Sequence, residues 1–215
     1  MKRHLLLTTL AAALALPALQ GCVPAVVATG AAAGVMSLHD RRSTGTQTDD
    51  ESTEWKASAR IPDRLKSLVH VNFTAYNRRL LITGEVPSEE DRATIEAQAR
   101  MVDSVKEVYN ELAIGPISSL ANRSNDSFID SKVKARLVDT KQISANHIKV
   151  VTERGITYLM GIVNEREAKI AIQVARTTAG VRKVVNLFEV VPESETRRID
   201  TQVAGAHRAA PVESR

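Results

Sequence analysis

The sequence predicts an α+β protein made of two copies of one α-β-β-α-β unit, and three observations carry the prediction. A shift of 77 residues places Val71 on Ile148, Phe73 on Val150, Ile82 on Leu159, Gly84 on Gly161, Val86 on Val163 and Glu90 on Glu167. After a one-residue gap, Val105 falls on Val181, Val108 on Val184 and Asn110 on Asn186, so the order of elements is duplicated too. Aromatic residues make up only 3% of the 215, which leaves Val, Ile, Leu and Ala to build the cores.

Taken in order, the chain opens with Lys2-Arg3, an apolar run over residues 5–16, Pro17 and the small Gly21 ahead of Cys22. This is the pattern of an export signal over residues 1–21, too short to span a bilayer as a stable helix. Its removal lowers the formal charge from +4 to +2, too little for a nucleic-acid-binding protein. Cys22 is the only cysteine, so no intramolecular disulfide holds the fold. Residues 23–36 are nearly all Ala, Val and Gly, about half the length of a membrane helix. They read either as a segment lying against the bilayer or as a small-residue tether. Residues 39–48 are polar and read as linker, completing a tether and linker over 22–48.

The first copy spans residues 49–116. Pro62 interrupts its leading stretch, 51–66, and ends or kinks a helix there. Strands follow around 71–75, 80–86 and 105–114, with a helix over 88–102. Ser104 stands where the second copy has Gly180, which predicts the less regular of the two units. After a linker over 117–123, the second copy spans 124–192. Asp126 or Ser127 caps a helix running to about residue 139, with Ile129, Val133 and Leu137 on its sheet-facing side. The β-rich runs 148–152 and 156–163 flank Glu153-Arg154-Gly155, a hairpin turn. Asn164 caps the next helix with Glu167 three residues on, a capping-box pattern, and Ala168, Ile172 and Ala175 form its apolar side. Gly180 ends that helix and a last strand covers 184–191. Residues 193–215 balance four acidic against four basic side chains with few apolar ones, which predicts a disordered tail.

Two resemblances sit on these residues. Leu19-Gln20-Gly21-Cys22 resembles the lipobox of bacterial lipoproteins, which implies a diacylglycerol on the Cys22 thiol, cleavage before it and acylation of the new amino group. Val23 follows where inner-membrane lipoproteins often carry Asp, so the resemblance implies the outer membrane and its periplasmic face. Gly161 after a hairpin, Glu167-Ala168 opening a helix, and Gly180-Val181-x-x-Val184-x-Asn186 look like the BON domain, a module of bacterial osmotic-stress and periplasmic proteins. Together with the Arg-Ser-x-Gly-Thr-Gln-x-Asp-Asp stretch over 42–50, the chain is similar to the dual-BON-domain outer-membrane lipoproteins associated with envelope integrity. That resemblance covers nearly all of the mature chain up to Pro192. It implies helices packed on one face of a three-stranded mixed sheet in each domain, and attachment to phospholipid membranes.

The residues point to where such attachment could occur. Phe128, Lys132 and Arg136 form a row at i, i+4 and i+8 beside the sheet-facing row, with Lys134 nearby. An aromatic tip among long basic side chains suits a helix resting on anionic headgroups. The expected phospholipid-binding set is Phe128, Ile129, Lys132, Val133, Lys134 and Arg136. The alternative is that Phe128 covers a domain edge and the basic residues form a solvated face. No nucleophile elbow, phosphate-cradling loop or His-Glu metal signature is present. His39, His70, His147 and His207 occur singly, and Glu89-Glu90-Asp91 suits the first turn of a helix, where acids complement the dipole. Catalytic residues, metal and cofactor are therefore not expected. The expected function is binding of anionic phospholipid surfaces in support of envelope integrity. The competing one is a periplasmic adaptor for outer-membrane assembly or cell-wall remodelling proteins, docking on strand edges. Oligomeric state and lipid species stay open.

Overall fold

A computed structural model describes residues 40–208. The expected export signal, Cys22 and most of the tether lie outside the described residues, as do residues 209–215. The first domain comprises α1 (Thr44–Ala59), β1 (His70–Tyr76), β2 (Arg79–Val86), α2 (Glu89–Arg100), β3 (Glu107–Asn110) and β4 (Ala113–Ile114). The second comprises α3 (Leu120–Asp139), β5 (Lys149–Glu153), β6 (Ile156–Val163), α4 (Glu165–Arg176) and β7 (Lys183–Val190), followed by α5 (Glu193–Arg208). Each unit is the predicted α-β-β-α-β.

In both units a hairpin supplies the first two strands and a helix crosses over to a third, which runs parallel to the middle strand. The third strand of the first unit is split into β3 and β4, both paired with β2, whereas β7 pairs with β6 along eight residues. The unit with Ser104 is thus the less regular one.

Strand residues alternate between two faces. Leu80, Ile82 and Val86 turn toward α1 and α2, and Leu159 and Val163 turn toward α3 and α4, giving each domain its own helix-covered core. The opposite faces do not meet water. Tyr76 and Leu81 of the first domain and Tyr158, Met160, Ile162 and Leu187 of the second form a third apolar cluster. Seven of the eight β6 residues are consequently buried, which is why that strand reads as a nearly continuous apolar run. Helices cover one face of each sheet, and the other domain covers the second face.

One latch is repeated. The Asp50 carboxylate on α1 accepts the backbone N–H groups of Asn77 and Arg78 at 2.7 and 2.8 Å, and Asp126 on α3 accepts those of Arg154 and Gly155 at 2.8 and 2.9 Å. All four donors lie in hairpin turns at positive φ, where no ladder partner exists for them. Asp126 therefore does not cap its helix as predicted. Ser119 does, accepting from the Asn122 N–H at 3.2 Å, and α3 takes in part of the expected linker over 117–123.

Three further expectations are corrected. Gly180 does not terminate α4, which ends at Arg176 with Thr177 as its cap. Instead Gly180, at φ 102°, passes beneath α3, where a Cβ would press on the Ile129 side chain. The polar segment before residue 49 is not a free linker, and residues 193–208 are not a disordered tail. Both are drawn in by Arg41, whose side chain is almost wholly buried. Its five N–H groups donate to Glu167 (2.7 and 2.9 Å), Asp200 (2.8 and 2.9 Å) and the Ile162 carbonyl (2.8 Å). Burial disfavours its charge, but the bonds to Asp200 and Glu167 outweigh it and raise its pKa. Burial likewise opposes the Glu167 and Asp200 carboxylates, yet Arg41 holds both below their ordinary values. Glu167 also closes the predicted capping box with Asn164, both of its hydrogen bonds being 2.9 Å.

Candidate functional site

The candidate site is the outer side of α3. Its inner row, Ile129, Val133 and Leu137, is sealed in the second core. Ile129 and Val133, two of the six residues in the expected lipid-binding set, therefore offer no side-chain surface to a headgroup. The other four lie on the outer side. Phe128 is 62% exposed, although its large apolar ring would ordinarily be buried. The Lys132 ammonium sits 4.7 Å from the centre of that ring, a cation–π contact.

The three cations are held differently. Lys132 donates to the Ala179 carbonyl at 2.6 Å. Arg136 donates to the Val174 carbonyl at 3.1 Å and to the hydroxyls of Thr178 and Thr177 at 2.8 and 3.0 Å. These partners are neutral, so they orient the two charges without cancelling them. Lys134 instead lies 2.7 Å from the Asp130 carboxylate, which offsets its charge. The row thus carries two positioned cations, without an acidic partner among the described residues, beside an exposed aromatic ring.

Sequence reasoning missed an extension of this surface. Leu120, two turns before Phe128 and about 80° around the helix from it, is 74% exposed, and Ile117 is exposed just ahead of it. Both were hidden by placing the helix start at Asp126. The signal that could have found them is Ser119, a residue type that caps as well as Asp. A cleft of about 570 Å³ opens between this end of α3 and the β5–β6 hairpin, with Ile117, Asn122, Asn125, Arg154 and Arg182 on its walls. Among the described residues no helix is long and apolar enough to cross a membrane.

Gly84 and Gly161 occupy equivalent positions on the middle strands. A Cβ at either would collide with a backbone carbonyl oxygen, that of His70 or of His147, so these glycines permit a close approach of the first strand to the second.

Duplicated α-β-β-α-β topology, a parallel third strand and an aspartate latch on each hairpin define a tandem α+β module protein. The family model of the BON domain matches residues 49–116 and 125–192, and the chain belongs to that family. It is similar to the outer membrane lipoprotein DolP of Haemophilus influenzae, with 38% identity over 173 residues, which is 80% of this chain and 89% of that protein. It also matches the 21 kDa hemolysin of Actinobacillus pleuropneumoniae at 32% identity, over 71% of this chain and 79% of that one. The osmotically-inducible protein Y of Escherichia coli matches at 30% identity, over 58% of this chain and 56% of its own.

Proposed function

We propose that this chain is a non-catalytic outer-membrane lipoprotein, acylated at Cys22 and facing the periplasm, whose second BON domain rests on anionic phospholipid through α3 and so supports envelope integrity. The observation that carries the docking part is the exposed Phe128 ring under the Lys132 ammonium, on a helix whose other side is committed to the core. Likeness to a named outer membrane lipoprotein over most of both chains supports the location.

The energetics fit a tethered contact. Sinking Phe128 into the acyl boundary contributes up to about 1.5–3 kcal/mol, and each uncompensated cation near an anionic surface about 1 kcal/mol. A total of about 4 kcal/mol corresponds to roughly millimolar affinity, weak for a free protein. An acyl anchor makes it sufficient, because the second contact becomes intramolecular.

Flotation with vesicles tests the reading on protein lacking residues 1–22, at lipid concentrations well above that roughly millimolar affinity. It is expected to float with anionic vesicles at low salt, to stay behind with zwitterionic ones, and to lose most binding in Phe128→Ala and Lys132→Glu. Protein that ignores anionic vesicles at low salt defeats the docking reading and leaves a protein-contacting adaptor as the function to pursue. Mass spectrometry of the membrane-extracted chain is expected to find acylated Cys22 as its first residue.

A further inference from the structure

We infer that His70, Glu85 and Glu153 form a binding site for a divalent transition cation of the zinc class, clamping the two BON domains together. His70 and Glu85 face each other across the β1–β2 register, on the side of the first sheet turned away from its helices. Glu153 ends β5 of the second domain. One ligand atom from each of the three lies within 4.8 Å of the others. A four-coordinate zinc with bonds of about 2.0–2.2 Å would draw such a set inward.

The local electrostatics call for a cation. Glu85 is 1% and Glu153 6% exposed, and Oε1 of each has no hydrogen-bond partner among the described residues. Neither carboxylate pairs with a Lys or Arg there. Glu85 Oε2 has only His70 Nδ1 at 3.1 Å and the Ser118 N–H at 3.2 Å, and Glu153 Oε2 accepts from the Asn72 amide at 3.0 Å. Two buried carboxylates beside one imidazole leave excess negative charge whether or not the histidine is protonated. Uncompensated buried charge of this kind is costly, and a divalent cation removes the deficit in one step.

The donor set selects the class of cation. One imidazole nitrogen with two carboxylates suits zinc and its neighbours, whereas calcium and magnesium take oxygen ligands. The Asn72 amide nitrogen donates to Glu153 and lies 3.3 Å from His70 Nε2, holding both side chains at the site. The Ser118 hydroxyl is also buried without a partner, and Glu85 lines the 570 Å³ cleft, which gives the ion and a fourth, water ligand a way in.

The test uses the full chain in detergent micelles, stripped with a chelator and titrated with zinc or magnesium while calorimetry and thermal unfolding are followed. One zinc per chain is expected, with a raised melting midpoint that the chelator reverses, and no response to magnesium. His70→Ala and Glu153→Gln should each weaken zinc by at least the roughly 10–100-fold seen when outer partners of metal ligands are lost, and His39→Ala should not. Glu153→Gln keeps the side chain's shape and sheds its charge, so it is expected to be at least as stable as the parent in chelator. X-ray absorption at the zinc edge of the parent protein is expected to report one imidazole and the rest oxygen, independently of any variant. Absence of stoichiometric zinc uptake, parental affinity in Glu153→Gln, or a shell of several imidazoles overturns the site. So does a melting midpoint that answers to acid and not to zinc, which assigns the cluster to a shared proton.

Discussion

The two domains follow one plan, yet their leading helices bury different things. Where α3 turns Asp126, Ile129 and Val133 inward, α1 turns Asp50, Thr53 and Ala57. Only the aspartate is kept, and in both it latches the hairpin turn. The first domain makes up the lost apolar volume with Leu65, from the turns that follow Pro62, and with the half-buried Ile61 and Phe73. The latch is thus a fixed demand of the architecture, and the apolar stripe is negotiable. With a complete inner stripe of its own, the 20-residue α3 leaves its outer side free to carry Phe128 and its cations, while α1 stops at Ala59 and exposes Trp55.

The contrast can be broken most forcefully in the cores. Leu137→Ala is expected to cost about 2–5 kcal/mol in urea unfolding, since it empties a fully buried position, whereas Ile61→Ala at the equivalent place should cost clearly less. Equal losses would mean that the two roofs carry the same weight after all. Next come the latches. Asp126→Ala removes a charged acceptor from two backbone donors and is expected to cost about 1.5–3 kcal/mol, with Asp50→Ala no less, because it also takes away one of the two carboxylates paired with Arg42.

Acid should separate the domains more gently. Burial, reinforced by Arg41, lowers the His147 pKa, so the stability it confers is present above its unfolded value of about 6.5 and is lost as pH falls toward the folded one. Glu167 and Asp200 are lowered too, and their contribution is present above about 4 and disappears as pH drops through their folded values. Asp91 and Glu96 of the first domain are lowered as well, but the His147 shift acts nearer neutrality, so the second domain's amides should lose hydrogen-exchange protection first on acidification. First loss in the first domain would reverse the assignment. The smallest effect expected is none. Trp55 is the sole tryptophan and 79% exposed on α1, so its emission should not move when anionic vesicles are added, if only the second domain docks. A blue shift would make α1 a second contact surface.

Much of the fold was legible because its signals are local. The hairpin strand pairs, the capping box at Asn164 and the end of the first helix before Pro62 all depend on residues a few positions apart, and the repeat shows as the same local pattern recurring 77 positions on. The start of α3 was not, because an aspartate that accepts from a neighbouring hairpin looks in sequence like one that caps its own helix. The ordering of residues 40–48 and 193–208 escaped for a different reason. Arg41 and Asp200 are 159 positions apart, and a polar composition reads the same whether its charges meet water or each other. The long apolar run of β6 fits burial on both faces, a signal passed over in the sequence, and nothing local says that the second cover is the other copy of the unit. At the candidate site, helical spacing found Phe128 and Lys132, while the late helix start concealed Leu120.

The position of Arg41 has a mechanical consequence. Any pull arriving along the chain from ahead of Asp40 reaches this guanidinium before it reaches the first helix. The guanidinium grips the start of α4 and the body of α5, so tension is shared with the later module before the chain enters the earlier one, where Arg42 holds Asp50. Order along the polypeptide and order along the line of force therefore differ: the module translated second takes up strain alongside the first.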